Sequence, residues 1–166
     1  MLTFKKLWDN HPTISGNEYP CSTNGVIHFS DQCAIRLGVA LAKCGVNTAY
    51  IAGARHCWHH KKIQGHILAA QELALGLSNQ PLGGMEQRQN VDPKNFKNII
   101  KDKRGIIFFK NFWVRSDGNR TGDHIDLWNG TRLTDWKSWL RIQLGLSWDG
   151  TFSDFGRSAE VWFWEV

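Results

Sequence analysis

The chain has 166 residues, enough to bury one full hydrophobic core, and residues 1–166 are expected to form a single domain. Hydrophobic residues at 42% and charged residues at 21% are the balance of a folded globular chain, which argues against intrinsic disorder, and no apolar run nears the ~20 residues of a membrane span. The net charge of +5 favours an acidic partner, yet the 20 basic residues are scattered, with short clusters such as Lys61-Lys62 and Lys101-Lys103-Arg104, and no nucleic-acid motif accompanies them.

Residues 2–9 read as a short amphipathic helix, and this start lacks an apolar signal region or cleavage site. The expectation is synthesis in the cytoplasm, with any export by a route needing no cleavable signal. A loop with Pro12, Gly16, Pro20 and Gly25 follows. Ser30 or Asp31 then suits a helix N-cap, Ala34 to Lys43 are mostly strong helix formers, and Gly45 suits the C′ position. Cys33 therefore sits in the first helical turn. Free backbone N–H groups and the positive end of the helix dipole stabilise a thiolate there, and the same N–H groups face the place where a tetrahedral oxyanion would form.

His56, Cys57, His59, His60 and His66 crowd the next stretch, with Cys44 nearby. The spacing argues against structural zinc, because no Cys-x-x-Cys or His-x-x-x-His pair puts two ligands on one helix face with two more in reach. No metal and no cofactor are expected; Trp58 and His59 are read instead as lining a cleft beside Cys33. With Cys33 set aside, Cys21, Cys44 and Cys57 allow at most one disulfide, of open pairing. A second helix is expected from Lys61 to Leu77, since Ile63, Ile67, Ala70, Ala74 and Leu77 recur at helical spacing, and Pro81-Leu82-Gly83-Gly84 ends it.

From Gly105 the period changes. Ile106-Ile107-Phe108-Phe109 is a buried strand running toward Val114, Arg115 to Gly122 a polar loop, and Val161 to Val166 a terminal strand. Between them, Asn129-Gly130 marks a hairpin from Gly122 to Trp136, because both central residues of a type I′ turn need φ > 0. In that register Trp128 faces Thr131 and His124 faces Asp135, with Cβ atoms roughly 4.5–5.5 Å apart. Asp126, two residues along the same strand face, is the rival partner for His124, and a bulged loop would bring Thr134 opposite His124 instead. Helices first and an antiparallel sheet afterwards make an α+β fold.

Cys33 as nucleophile, His124 as general base and acid, and Asp135 as orienter form a papain-like set. Asp126 and Trp128 share the strand face with His124 and are candidates for the cleft. The competing class is a non-catalytic wall- or glycan-binding module, in which several of the nine tryptophans form a platform and Cys33 is a buried hydrophobe. A cysteine peptidase or transferase on another substrate would share the same three residues.

The blocks Asp31-Gln32-Cys33-Ala34-Ile35-Arg36-Leu37, Gly65-His66-Ile67-Leu68-Ala69-Ala70-Gln71-Glu72-Leu73-Ala74, Gly105-Ile106-Ile107-Phe108-Phe109 and Gly122-Asp123-His124-Ile125-Asp126-Leu127-Trp128-Asn129-Gly130 together resemble the type VI secretion amidase effectors of family 4. The resemblance spans Trp8 to about Asp135. It implies an NlpC/P60-like, papain-like fold and hydrolysis of the γ-D-glutamyl–meso-diaminopimelate bond of peptidoglycan stem peptides in the periplasm of a target bacterium. It also implies a cognate immunity protein as inhibitor, and it matches the family's Cys, His and acid to Cys33, His124 and Asp135. Delivery by a secretion apparatus would account for the missing signal peptide. The last ~25 residues carry no assignable motif.

Overall fold

The structure is a computed structural model that describes residues 1–114, 120–135, 156 and 158–166. Helix α1 spans Phe4–Asn10, capped by the Thr3 hydroxyl, and buries Phe4 and Leu7. After a small hairpin of β1 (Ser22–Thr23) and β2 (Val26–Ile27), helix α2 runs from Cys33 to Lys43. Gly45 closes α2 at φ +87°, the left-handed C′ conformation that glycine adopts without steric cost. Helix α3 covers Ala70–Asn79, and β3 (Gln89–Val91) and a single turn α4 (Phe96–Ile99) lead into strands β4 (Gly105–Val114), β5 (Arg120–Trp128) and β6 (Glu160–Glu165).

The four longer-range strands form one antiparallel sheet in the order β3-β6-β4-β5. β4 is central and reads as an unbroken apolar run because both of its faces are covered. Ile106 and Phe108 pack with Ile125, Leu127, Trp162 and Trp164 against the helices, through Leu37, Leu41, Leu73 and Leu77. Ile107 and Phe109 point the other way and meet Phe96, Ile100, Leu133 and Phe163. This mixed α/β architecture with antiparallel strands is the expected layering of N-terminal helices on a sheet.

Three local expectations are corrected. The helix predicted from Lys61 is a 3-10 turn over Lys62–Gln64, a left-handed Gly65 and an extended segment, with α3 starting only at Ala70. The cause is a close crossing: a Cβ on Gly65 would lie 2.0 Å from the Gly38 carbonyl oxygen, and one on Gly38 2.0 Å from that of Gly65. Gly65 sits there at φ +82°, a left-handed conformation that ends the turn instead of continuing it as a helix. Gly38→Ala should therefore cost about 3 kcal/mol of stability, at the top of the overpacking range; an unchanged urea midpoint would show that the crossing is soft.

Second, β5 begins at Arg120, so the polar loop predicted to end at Gly122 is shorter at that end, and its residues 115–119 lie outside the described set. Third, the hairpin after β5 is not a two-residue turn. The Asn129 carboxamide oxygen accepts from the backbone N–H of Thr131 (3.0 Å) and of Arg132 (2.8 Å), which stretches the loop to four residues. Only Gly130 has positive φ there, and Trp128 bridges Leu133 rather than Thr131. β5 takes its ladder from β4 instead, and residue 136, the expected end of the returning strand, is outside the described residues.

Candidate active site

Cys33 is the first residue of α2, and the turn before it is built from side chains that reach back to the backbone. Asp31 Oδ1 accepts from the Cys33 N–H at 3.2 Å, so Asp31 caps the turn although the N-cap position itself falls on Gln32. Gln32 is fully buried and makes three bonds. Its Oε1 accepts from the Cys21 N–H (2.8 Å), and its Nε2 donates to the carbonyls of Cys21 (3.2 Å) and Phe29 (2.9 Å). Glutamine here clamps the incoming loop to the helix start, a role no local sequence pattern announces.

Opposite Cys33 stands β5, the last strand of the described sheet. Alternation sends Ile125 and Leu127 into the core under the helices and leaves His124 and Asp126 on the other side. Between Phe109 and Trp113 the β4–β5 register shifts, with Asn111 at φ +51° and its N–H donated to Asp123 Oδ1 at 2.9 Å. That irregularity adjoins the Phe109–His124 pair, a place where bulges commonly re-aim a side chain.

The carboxylate against His124 is Asp126. Asp126 Oδ2 lies 3.7 Å from His124 Nε2, an ion-pair separation longer than a hydrogen bond, and both side chains are largely shielded, at 4% and 13% exposure. Burial alone would lower the His124 pKa, but Asp126 and the Cys33 thiol outweigh it and hold the imidazole well above its ordinary range. Asp126 is likewise burdened by burial and is nevertheless held below the usual carboxylate range by His124, His11 and Thr134. Thr134 donates its hydroxyl to Asp126 Oδ1, and the Leu127 N–H reaches the same oxygen at 2.7 Å.

Asp135, predicted to face His124, is not among the groups that set the charge of His124. It lines a surface depression of about 470 Å³ with Trp8, Glu18, Arg132 and Thr134. The reason is the four-residue loop, which displaces the returning segment by two positions relative to a type I′ turn. Of the other cleft candidates, Trp58 is 75% exposed and meets Phe29 edge to face at 5.2 Å, two residues of sequence from Asp31, and His59 stacks on His28 at 3.7 Å. Trp128 is corrected: it is 2% exposed, donates its indole N–H to the Ile100 carbonyl at 3.0 Å and packs on Phe96. Trp162 and Trp164 are also core residues and, with Trp128, cannot belong to an exposed platform. Trp136, Trp139 and Trp148 lie outside that set.

Sequence reading missed His11, which follows α1 and is 2% exposed with Nε2 3.7 Å from Asp126 Oδ1. Burial drives its pKa down to about 4 against the pull of Asp126, with Arg36 and His124 adding to the fall, so it packs as a neutral ring. The unfolded chain binds a proton at His11 near pH 6.5, the ordinary histidine value, that the fold refuses until about pH 4. His11 thus subtracts stability as the pH falls through that window, by about 3 kcal/mol at the low end. His124 does not cancel this, since below pH 6.5 it is protonated folded and unfolded alike. The urea midpoint of His11→Asn should fall less between pH 6.5 and 4.5 than that of the wild type; parallel profiles would contradict it.

A family profile described as "Type VI secretion system (T6SS), amidase effector protein 4", Tae4, matches residues 29–164. No curated protein matches the chain by sequence. Among solved structures, the Tae4–Tai4 effector–immunity complex from Enterobacter cloacae is similar at 19% identity and a TM-score of 0.63, covering 100% of this chain and 99% of that one. The Tae4 effector of Salmonella typhimurium, in complex with the Enterobacter cloacae immunity protein Tai4, follows at 21% identity and a TM-score of 0.60, with the same coverage. At these identities the likeness concerns the fold. The family match, which takes in both Cys33 and His124, carries the assignment: the chain belongs to the Tae4 family of type VI secretion amidase effectors.

Proposed function

We propose that this amidase is a cysteine hydrolase of papain-like, NlpC/P60 type that cleaves the γ-D-glutamyl–meso-diaminopimelate bond of peptidoglycan stem peptides. The observation that carries it is the meeting of Cys33 at a helix start with a His124 whose proton is held by Asp126 and the thiol together. A histidine so placed is the base that takes the thiol proton as Cys33 attacks. The thiolate attacks the γ-carbonyl carbon. The imidazolium of His124 then protonates the departing amine of diaminopimelate as the C–N bond breaks, leaving a thioester on Cys33. Water, deprotonated by His124, attacks the thioester and releases the glutamyl carboxylate and the thiolate. Asp126 orients the ring and balances its charge through both steps.

The Cys33 N–H is the natural donor to the oxyanion, and in the free chain it is engaged by Asp31. That carboxylate is exposed and holds the amide through one 3.2 Å bond, so a bound substrate can displace it. The depression beside Thr134, lined by Arg132 as well as by Glu18 and Asp135, offers both signs of charge to a stem peptide that carries amines and carboxylates. The net charge of +5 suits an anionic wall. Delivery by a type VI apparatus and inhibition by a cognate immunity protein seated over the cleft complete the reading, in line with the effector–immunity complexes of similar fold.

Directing the chain to the periplasm of a Gram-negative cell tests the target. Lysis is expected there and not on cytoplasmic expression, and Cys33→Ala should abolish it. Equal toxicity from either compartment would refute a cell-wall substrate.

A further inference from the structure

Behind the nucleophile lies a second cluster that the proposed reaction does not use. Cys21 comes from the loop before β1, and Cys57, His60 and His66 from the loop that Gly65 presses onto α2. One ligand atom from each, two sulfurs and two ring nitrogens, lies within 4.8 Å of all the others. Cys21 Sγ is 3.6 Å and Cys57 Sγ 3.2 Å from His60 Nδ1. A tetrahedral ion with metal–sulfur bonds of 2.3 Å and metal–nitrogen bonds near 2.05 Å requires ligand separations of roughly 3.3–3.8 Å, so small shifts suffice to close the cage.

The surroundings also suit an ion. Cys21, Cys57 and His66 are 0%, 3% and 6% exposed, and His66 Nδ1 is buried with no hydrogen-bond partner. A buried ring nitrogen left unpaired is costly unless something occupies the space in front of it. The His60 and His66 rings stack at 3.7 Å, so a tilt of one ring is the movement that aims both nitrogens at a common ion. Around the donors, Cys57 N–H donates to the His66 carbonyl at 2.8 Å, and both backbone groups of Cys21 are held by Gln32. This outer shell fixes the donors from outside, as metal sites require.

We propose that Cys21, Cys57, His60 and His66 form a structural site for a zinc ion, which staples the loop before β1 to the Cys57–His66 loop. Two thiolates and two imidazoles are the donor set that selects zinc over hard cations such as magnesium or calcium, and four protein ligands leave no open position for catalysis. The nearest rival use of the same sulfurs is a Cys21–Cys57 disulfide, which would leave the two histidines without a role. The spacing rule used on the sequence failed here because the ligands are one distant cysteine and a Cys-x-x-His turn followed six residues later by His66, instead of two paired motifs.

The test is a cobalt(II) titration of the reduced full-length chain, purified without chelator. One equivalent should give the visible bands and thiolate charge-transfer absorption of tetrahedral cobalt, zinc should displace it stoichiometrically, and the melting temperature should rise. Cys33→Ala should bind as the wild type does. Cys57→Ser and His66→Ala should weaken binding by more than the about 10–100-fold that outer-shell changes cost. Wild-type protein with no tetrahedral cobalt spectrum, binding lost in Cys33→Ala, or Cys21 and Cys57 oxidising to a disulfide as readily with zinc as without would each overturn the site.

Discussion

Cys33→Ala should lower the turnover of purified muropeptides by at least about 10⁴-fold, because removing the nucleophile leaves only binding and electrostatic help. The fold should not suffer. Cys33 is buried at 8% exposure on a helix whose other side chains form the core, and alanine is the better helix former at that position. Circular dichroism and the urea midpoint therefore serve as the control, and wild-type turnover in this variant would end the cysteine mechanism. The same variant separates the enzyme reading from a wall-binding module, in which loss of one thiol would leave function intact. The burial of Trp128, Trp162 and Trp164 already removes three members from any aromatic platform.

Asp126→Asn should cost about 10²–10⁴-fold in kcat/KM, and Asp135→Asn less than about tenfold. Asparagine keeps an oxygen for the Thr134 hydroxyl and the Leu127 N–H, so the local bonds survive while the charge is lost. Asp126 is one of the two groups that raise the His124 pKa. Without it the imidazolium gives up its proton at lower pH, and the alkaline limb of the activity profile should move down. An unshifted limb would show that Asp126 acts only in packing. A larger loss from Asp135→Asn than from Asp126→Asn would return the orienting role to the residue that the family resemblance and the type I′ register both pointed to.

Much of this site was legible because its parts are local. Cys33 at a helix start follows from helix formers ending in Gly45, and the apolar run of β4 follows from burial on both faces. What misled was a choice between two local chemistries at one position. Asn129 can either adopt positive φ or turn its side chain back onto the amides of Thr131 and Arg132, and it does the latter. That choice moved Leu133 opposite Trp128 and handed His124 to the rival Asp126. His11, Gln32 and the crossing of Gly38 with Gly65 were invisible for another reason. Each depends on a contact between segments far apart in the chain, such as the 11 residues that separate Gln32 from Cys21. The cysteine and histidine cluster was visible as composition, yet its convergence needed Cys21 to be brought in by Gln32.

Mass spectrometry of muropeptides digested in parallel by the wild type and Cys33→Ala tests the central claim most directly. The account predicts fragments cut between D-glutamate and meso-diaminopimelate, the two products together weighing the substrate plus one water, from the wild type alone. Intact muropeptides from folded wild-type protein, cleavage at a different bond, or the same fragments from Cys33→Ala would contradict it.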